Sequence, residues 1–266
     1  MFVATDTEQI VIATAERSTT QPYPCLGSVA CSFNPMKCLN WNLEWRPPRS
    51  AGGKWIAQKI GELAPDVSCL TEVTEALIPE GEVIRSDLDY GYVNKGDRRK
   101  VVLWSKEPWT DIDLVGDSGL PGGRFVSGVT LGIRFIGVCI PWQSAHVSTG
   151  RKDRKSWEDH LIYCRALTGI IEKYRKEDFP VCVLGDYNQR IPRVRQPVEV
   201  AEALAACFPS DFSICTAEMN DLEGKPLIDH CAVSHGLSAQ VTEIIPKNTP
   251  DGNPVSDHAG VVQEVS

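Results

Sequence analysis

Apolar positions fall into short runs divided by polar turns, and their spacing alternates between two periods. Residues 37–43, 66–71, 101–105, 124–131, 133–140 and 180–185 read as strands. The runs 124–131 and 133–140 flank Gly132 and predict a hairpin. The run 180–185, PVCVLG, is wholly apolar, as a strand covered on both faces should be. Further strands are predicted near 213–216, 227–233, 239–245 and 259–264. Helical spacing appears over 54–63, where Trp55, Ile56, Ile60 and Leu63 share a face and Pro65 ends the run. The longest helical pattern is 156–175, with Ser156 as cap and Glu158 and Asp159 in the first turn. A third helix is predicted over 197–206. Hairpins mixed with crossover helices predict mixed sheets with helices outside, in one domain. Residues 1–35 break this pattern, being Thr-rich, weakly periodic and closed by turn residues. They are expected to be a dispensable N-terminal extension, or to precede a true start at Met36, with the domain running over 36–266.

Composition narrows the class. The chain has 266 residues, 42% of them hydrophobic, enough for a sizeable core. With 27 basic and 35 acidic residues the net charge is −8, which argues against coating nucleic acid through bulk charge. No apolar run approaches the ~20 residues that span a bilayer, so no membrane insertion is expected. The ten cysteines contain no C-x-x-C pair, which leaves a zinc ribbon or a redox pair without support. Several lie inside apolar runs, as buried reduced thiols do. With no secretory signal in the sequence, a cytoplasmic location is expected. A monomer is expected.

Polar residues recur where the apolar strands end. LNWNLEW places Asn40 and Asn42 there, DVSCLTEV places Glu72, and VCVLGDYNQR places Asp186 and Asn188. PLIDHCAV holds Asp229 and His230, and NPVSDHAGVV holds Asp257 and His258. Any one of these is ordinarily a turn former or cap. Together they would bring carboxylates, amides and imidazole to one edge, a set that suits a hard divalent cation and a phosphate.

NWN, TEV, GDYN, IDH and SDH, in that order, resemble the endonuclease/exonuclease/phosphatase superfamily, DNase I-like, of which this would be a divergent bacterial-type member. The resemblance covers 36–266. It implies an α+β fold: a four-layer α/β/β/α sandwich with two packed mixed β-sheets and the site at one end. It also implies phosphoester hydrolysis with Mg²⁺, or Mn²⁺. By the same resemblance Glu72, Asn42 and Asp257 belong to the metal environment. Asp186 orients or deprotonates the attacking water, and Asn188 donates to a phosphoryl oxygen. His258, as imidazolium, stabilises charge on the phosphoryl group, and Asp229 pairs with it and should raise its pKa. The chain departs from the pattern after its middle strand, where GVCIPWQSAH puts Cys139 and Trp142 in the places of a second histidine or of a Tyr and Asn. His146 is by default a surface-loop residue, though close enough in sequence to swing in. His160 reads as a partly buried helix residue, His235 as a turn, and His230, by alternation, as a structural residue on the opposite face.

Trp142 has two readings: a ring that stacks on a base or an apolar leaving group, or a packing residue under a loop. KGDRRK (95–100), RKDRK (151–155) and RIPRVR (190–195) each carry a net +3. The last two follow strand ends that bear candidate residues, and Arg190 and Arg193 are the best candidates for holding a polyphosphate or nucleic-acid backbone. The resulting expectation is a Mg²⁺-dependent phosphodiesterase, foremost a nuclease acting on DNA or RNA. The alternatives are a phosphatase or phosphodiesterase for a small-molecule or lipid-head-group ester, and a catalytically weak nucleic-acid-binding module.

Overall fold

Period-two alternation and two crossover helices build the architecture. The structure is a computed structural model that describes residues 34–93 and 96–266. Apart from Asn34 and Pro35, the expected extension lies outside the described residues. In chain order the elements are β1 (Met36–Asn42), α1 (Ala51–Leu63), β2 (Val67–Thr74), β3 (Glu82–Arg85), β4 (Arg98–Ser105), β5 (Thr110–Asp113), β6 (Phe125–Thr130) and β7 (Ile133–Cys139). They continue as α2 (Glu158–Tyr174), β8 (Val181–Asp186), α3 (Val198–Ala205), β9 (Ser213–Ile214), β10 (Asp229–Val233), β11 (Ala239–Ile245) and β12 (Gly260–Val265). One six-stranded sheet has the order β11-β12-β1-β2-β4-β3, the other β5-β6-β7-β8-β10-β9. Each holds one parallel pair, β1 with β2 and β7 with β8. Parallel neighbours need a crossover, and α1 and α2 supply these two.

The strand alternation sorts side chains into layers. Cys38, Cys69, Val101 and Leu103 from the first sheet meet Phe135, Cys182, Leu184 and Cys231 from the second in the inter-sheet core. On the outer face of the first sheet, Leu39, Trp41, Leu70 and Val102 pack on Ile56, Ile60 and Leu63 of α1. On the outer face of the second, Ile136, Val138, Val181 and Val183 pack on Tyr163, Leu167, Ile171 and Leu204 of α2 and α3. The result is a four-layer α/β/β/α sandwich.

The boundaries follow local chemistry, with one correction. Ser50 caps α1, its hydroxyl accepting from Gly53 N at 3.0 Å. The helix closes on Ala64 in the left-handed region (φ 44), just before Pro65. Ser156, by contrast, does not cap α2. Trp157 takes the N-cap position with φ 67 and no side-chain bond, while the Glu158 carboxylate accepts from Lys155 N at 2.7 Å. The strands β3 and β5 carry no apolar alternation that would announce them: only Ile84 of EVIR is buried, and none of TDID. Both are edge strands. The eight described cysteines are unbridged, and all but Cys215 are buried. No helix among the described residues is long and apolar enough to cross a membrane.

Candidate active site

Strand parity aims the candidate side chains. In β1 the inward residues are Cys38, Asn40 and Asn42, and in β8 they are Cys182, Leu184 and Asp186. In β10, Asp229 shares a face with Cys231 and Val233 and lies directly opposite Asp186 in the antiparallel register. Asn42, Asp186 and Asp229 therefore reach the same end of the inter-sheet space. Asn42 Nδ2 donates across it to Asp186 Oδ2 at 3.2 Å. Behind them, the buried amide of Asn40 ties the sheets together by donating to Gly185 O and His230 O, each at 3.1 Å.

Glu72 reaches this end by a different device. Alternation would send it to the outer face with Leu70, but its backbone turns left-handed (φ 46) and Val73 joins the outer cluster instead. The freed carboxylate pairs with the Lys100 ammonium. The segment before β12 is pinned to the β1 end: Ser256 Oγ donates to Asn42 O at 2.6 Å, and Asp257 N donates to Glu44 Oε2 at 3.1 Å. His258 then donates from Nδ1 to Asp229 Oδ2 at 2.6 Å. The Asp257 carboxylate stands 3.7 Å from His258 Nε2 and is largely exposed.

Burial and mutual charge shape the ionisation. Burial raises Asp186, His258 opposes it, and the neighbouring carboxylates of Asp229 and Glu72 help bring the group up to about 7. Burial raises Glu72 too, but the charge and hydrogen bond of Lys100, with His258 and Arg124, outweigh it and hold the carboxyl below its ordinary value. Burial disfavours a charged His258, yet Asp229, Asp186 and Asp257 overcome it and push the imidazole up to about 10. His258 is therefore an imidazolium at neutral pH, the direction expected from its Asp229 partner.

One potential ligand atom from each of Asp186, Asp229 and His258 lies within 4.8 Å of the others. Asp229 Oδ1 is buried without a hydrogen-bond partner among the described residues. An orphaned carboxylate oxygen beside clustered acids is a donor set that fits a hard cation. Asn188, left-handed at φ 53, donates from Nδ2 to Asp186 Oδ2 at 2.8 Å and to Ile140 O at 2.9 Å. Both its amide protons are thus engaged within the protein, and its visible effect is to hold Asp186.

Two clefts adjoin this centre. One of about 200 Å³ is lined by Asp229, His258, Asp257, Arg190, Lys225 and Lys247 among others. The second, of about 480 Å³, is lined by Asn188, Trp142, Trp157, Gln143, Arg190 and Arg195 among others. Arg190 and Ile228 wall both. Trp142 is 48% exposed there. Arg193 instead donates to Gln196 O at 3.1 Å and lines an apolar cleft of about 330 Å³ under α3, which shares Gln189 and Arg190 with the second cleft.

In the other basic clusters three guanidinium groups are engaged within the protein. Arg154 pairs with Asp159 at 2.5 Å, Arg151 with Asp153 at 3.3 Å, and Arg99 with Glu75 at 2.8 Å. Lys95 lies outside the described residues. His146 is not a surface residue: it is buried, with its ring 4.4 Å from that of Tyr92 and its Nδ1 accepting from Arg151 N at 3.2 Å. His160 is fully rather than partly buried. His230 faces away from Asp229, between Thr216 Oγ1 and Gln189 O at 2.9 Å each.

Sequence reading missed Lys100, Glu44, Trp157 and Arg195. Lys100 and Arg195 stood in the basic clusters, but nothing along the chain marks which cation of a cluster faces the site. Glu44 and Trp157 are both left-handed (φ 47 and φ 67), a conformation that side-chain type does not signal.

The model of the Endonuclease/Exonuclease/phosphatase family matches residues 39–258. An AP endonuclease from Archaeoglobus fulgidus is similar in structure, with TM-score 0.62, 17% identity and coverage of 86% of this chain and 98% of that one. The 3′ phosphatase NExo from Neisseria, bound to product DNA hairpin, gives TM-score 0.64 at 15% identity, covering 87% and 99%. A humanized D. rerio TDP2 gives 0.60 at 13% identity, covering 87% and 99%. No curated protein matches the sequence. The chain belongs to the endonuclease/exonuclease/phosphatase family, with a DNase I-like fold, and is a phosphoester hydrolase.

Proposed function

We propose that the chain is a Mg²⁺-dependent phosphodiesterase of nucleic acid, a nuclease, with Mn²⁺ as the alternative ion. The observation that carries the reading is the meeting of Asp186, Asp229 and His258 at one sheet end, held by Asn42 and Asn188, with the Glu72 charge near enough to act on Asp186 and His258. Glu72, Asn42 and Asp257 are the residues assigned to hold the metal, with the Asp186 and Asp229 carboxylates beside them. When bound, the cation would offset the clustered acids and polarise the phosphoryl group. Asp186, fixed by the Asn42 and Asn188 amides, takes a proton from the attacking water. His258 presents Nε2–H to a phosphoryl oxygen while Asp229 holds Nδ1–H and keeps the ring charged.

Arg190 and Arg195 support a nucleic-acid substrate, since no described residue pairs with either guanidinium beside the centre. The structural neighbours named above include a DNA-bound 3′ phosphatase and an AP endonuclease. A binding module without catalysis fits poorly, because Glu72, Asp186, Asp229 and Asp257 would weaken its hold on a phosphate that no cation shares with them. The unbridged cysteines accord with a reducing, cytoplasmic compartment.

The test is a substrate panel with Mg²⁺, Mn²⁺ or EDTA: plasmid, single-stranded DNA, RNA, an abasic duplex and bis-p-nitrophenyl phosphate. Nucleic-acid cleavage that EDTA abolishes is expected. Hydrolysis of the artificial diester alone would favour the small-molecule alternative, and turnover undiminished by EDTA would remove the metal from the proposal.

A further inference from the structure

The cleft of about 480 Å³ beside Asn188 is more than a rim. Its volume lies in the range of small-ligand sites. Two indoles, Trp142 and Trp157, line it with the amide of Gln143 and the guanidinium groups of Arg190 and Arg195. Trp142 follows by two residues the Ile140 carbonyl that accepts from Asn188, so its place is tied to the catalytic centre.

Trp157 is held firmly. Its backbone N donates to Gln143 O at 2.8 Å, linking the two tryptophan segments. Its ring packs edge-on against His160, with centroids 5.2 Å apart and planes at 88°. His160 is itself fixed: Nδ1 donates to Pro141 O at 2.7 Å, and Gln189 Nε2 donates to Nε2 at 2.6 Å. Gln189 Nε2 also donates to Val200 O at 2.8 Å. A tryptophan at φ 67 is a strained placement, kept only where surrounding contacts enforce it. Here those contacts set an indole at the wall of a cleft adjoining Asn188.

We propose that this cleft is a nucleobase subsite. It holds the unstacked base of the nucleotide whose phosphate is cut, so the enzyme takes unpaired or terminal nucleotides in preference to stacked duplex. This rests on the nuclease reading and adds to it the form of the substrate. Indole faces stack on any base, which makes the subsite tolerant of sequence. The Gln143 side chain is exposed beside them and offers both a donor and an acceptor to a base edge. Arg190 walls both this cleft and the one at His258, so it can meet the phosphate that joins the base to the reaction centre. A lipid tail suits the cleft badly, because two guanidinium groups and an amide share its lining.

The test separates binding from hydrolysis. Indole fluorescence quenching and anisotropy are measured in EDTA with a short oligothymidylate, the equivalent base-free tetrahydrofuran phosphodiester, oligouridylate, the thymidylate strand paired to its complement, and thymidine monophosphate. Wild type should bind oligothymidylate about tenfold more tightly than the base-free backbone or the duplex. Oligouridylate and the mononucleotide show whether the base is taken from DNA, RNA or a free nucleotide. W142A should lose most of the preference, and W142F, which keeps an aromatic face, should restore it. Trp142 is half exposed, and a thermal melt checks that both variants fold. Equal wild-type binding of base-bearing and base-free backbones, or an undiminished preference in W142A, would overturn the subsite. Base preference without cleavage of any panel substrate would sink the nuclease reading alone, whereas cleavage without base preference would sink the subsite alone.

Discussion

His258 and His160 have opposite charge states for reasons that can be named. His258 meets three carboxylates and is driven up to about 10. His160 meets a carbonyl and an amide but no acid, and burial drives it down to about 4. H258N should therefore lower turnover on a phosphodiester by about 10²–10⁴-fold, since the amide carries no positive charge. Turnover close to wild type in a folded variant would refute the assigned role. For His160 the consequence is stability. Above pH 6.5 it is neutral both folded and unfolded, and adds no pH dependence. Between 6.5 and about 4 the unfolded chain takes up a proton that the folded chain refuses, so stability falls as pH falls. The slope from this one group approaches about 1.4 kcal/mol per pH unit in mid-window. Urea titrations at pH 7 and 5 should show H160Q with a shallower pH dependence than wild type, and parallel profiles would sink the idea. At this scale the sequence was informative where parity operates. Asn42 and Asp186 close strands, and Asp229 opens one, whose alternation aims them inward. Glu72 arrives only through a left-handed turn, and Lys100 only by pairing with it from another strand.

The strand β8 shows what the elements must supply to hold the site. It carries Asp186, runs parallel to β7 and antiparallel to β10, and is covered on both faces. Gly185 sits between these demands at φ 145, where a Cβ would lie 1.9 Å from Val138 O. That carbonyl belongs to β7 and cannot yield without breaking the pairing. G185A should destabilise the fold on the order of 3 kcal/mol and displace Asp186. Urea denaturation with an activity assay on the folded fraction checks both parts, and a variant of wild-type stability would show that β7 can move. The wholly apolar character of this strand made it readable in advance, as did the hairpin at Gly132 and the helix ended by Pro65. Edge strands β3 and β5 were not readable, because one or no buried side chain leaves no period to detect. The start of α2 was misread because Ser156 has the right chemistry for a cap, but the turn at Trp157 denies it the geometry.

Across the whole molecule, the net −8 conceals how differently the positive charges are used. If the domain is self-sufficient from β1 onward, a chain lacking residues 1–35 should fold and keep its activity. Loss of cooperative unfolding in that truncation would show the segment to be integral. Within the domain, Arg151 and Arg154 are tied to Asp153 and Asp159, and Arg99 to Glu75, so these guanidinium groups are already engaged. Arg190 and Arg195 line the clefts at the centre, and neither guanidinium has a partner among the described residues. Bulk charge then opposes nucleic acid while two local cations favour it, and ionic strength separates the two. Screening weakens the distant repulsion, whereas each phosphate contact releases counterions and gives affinity a steeper negative salt dependence. For single-stranded DNA the slope of log affinity against log salt should become less negative by about 0.7 in R190A and again in R195A. R154A, whose guanidinium already serves Asp159, should move the slope much less. Equal slopes in wild type and R190A would mean that Arg190 touches no phosphate, and the path from the tryptophan cleft to His258 would then need another residue to carry the backbone.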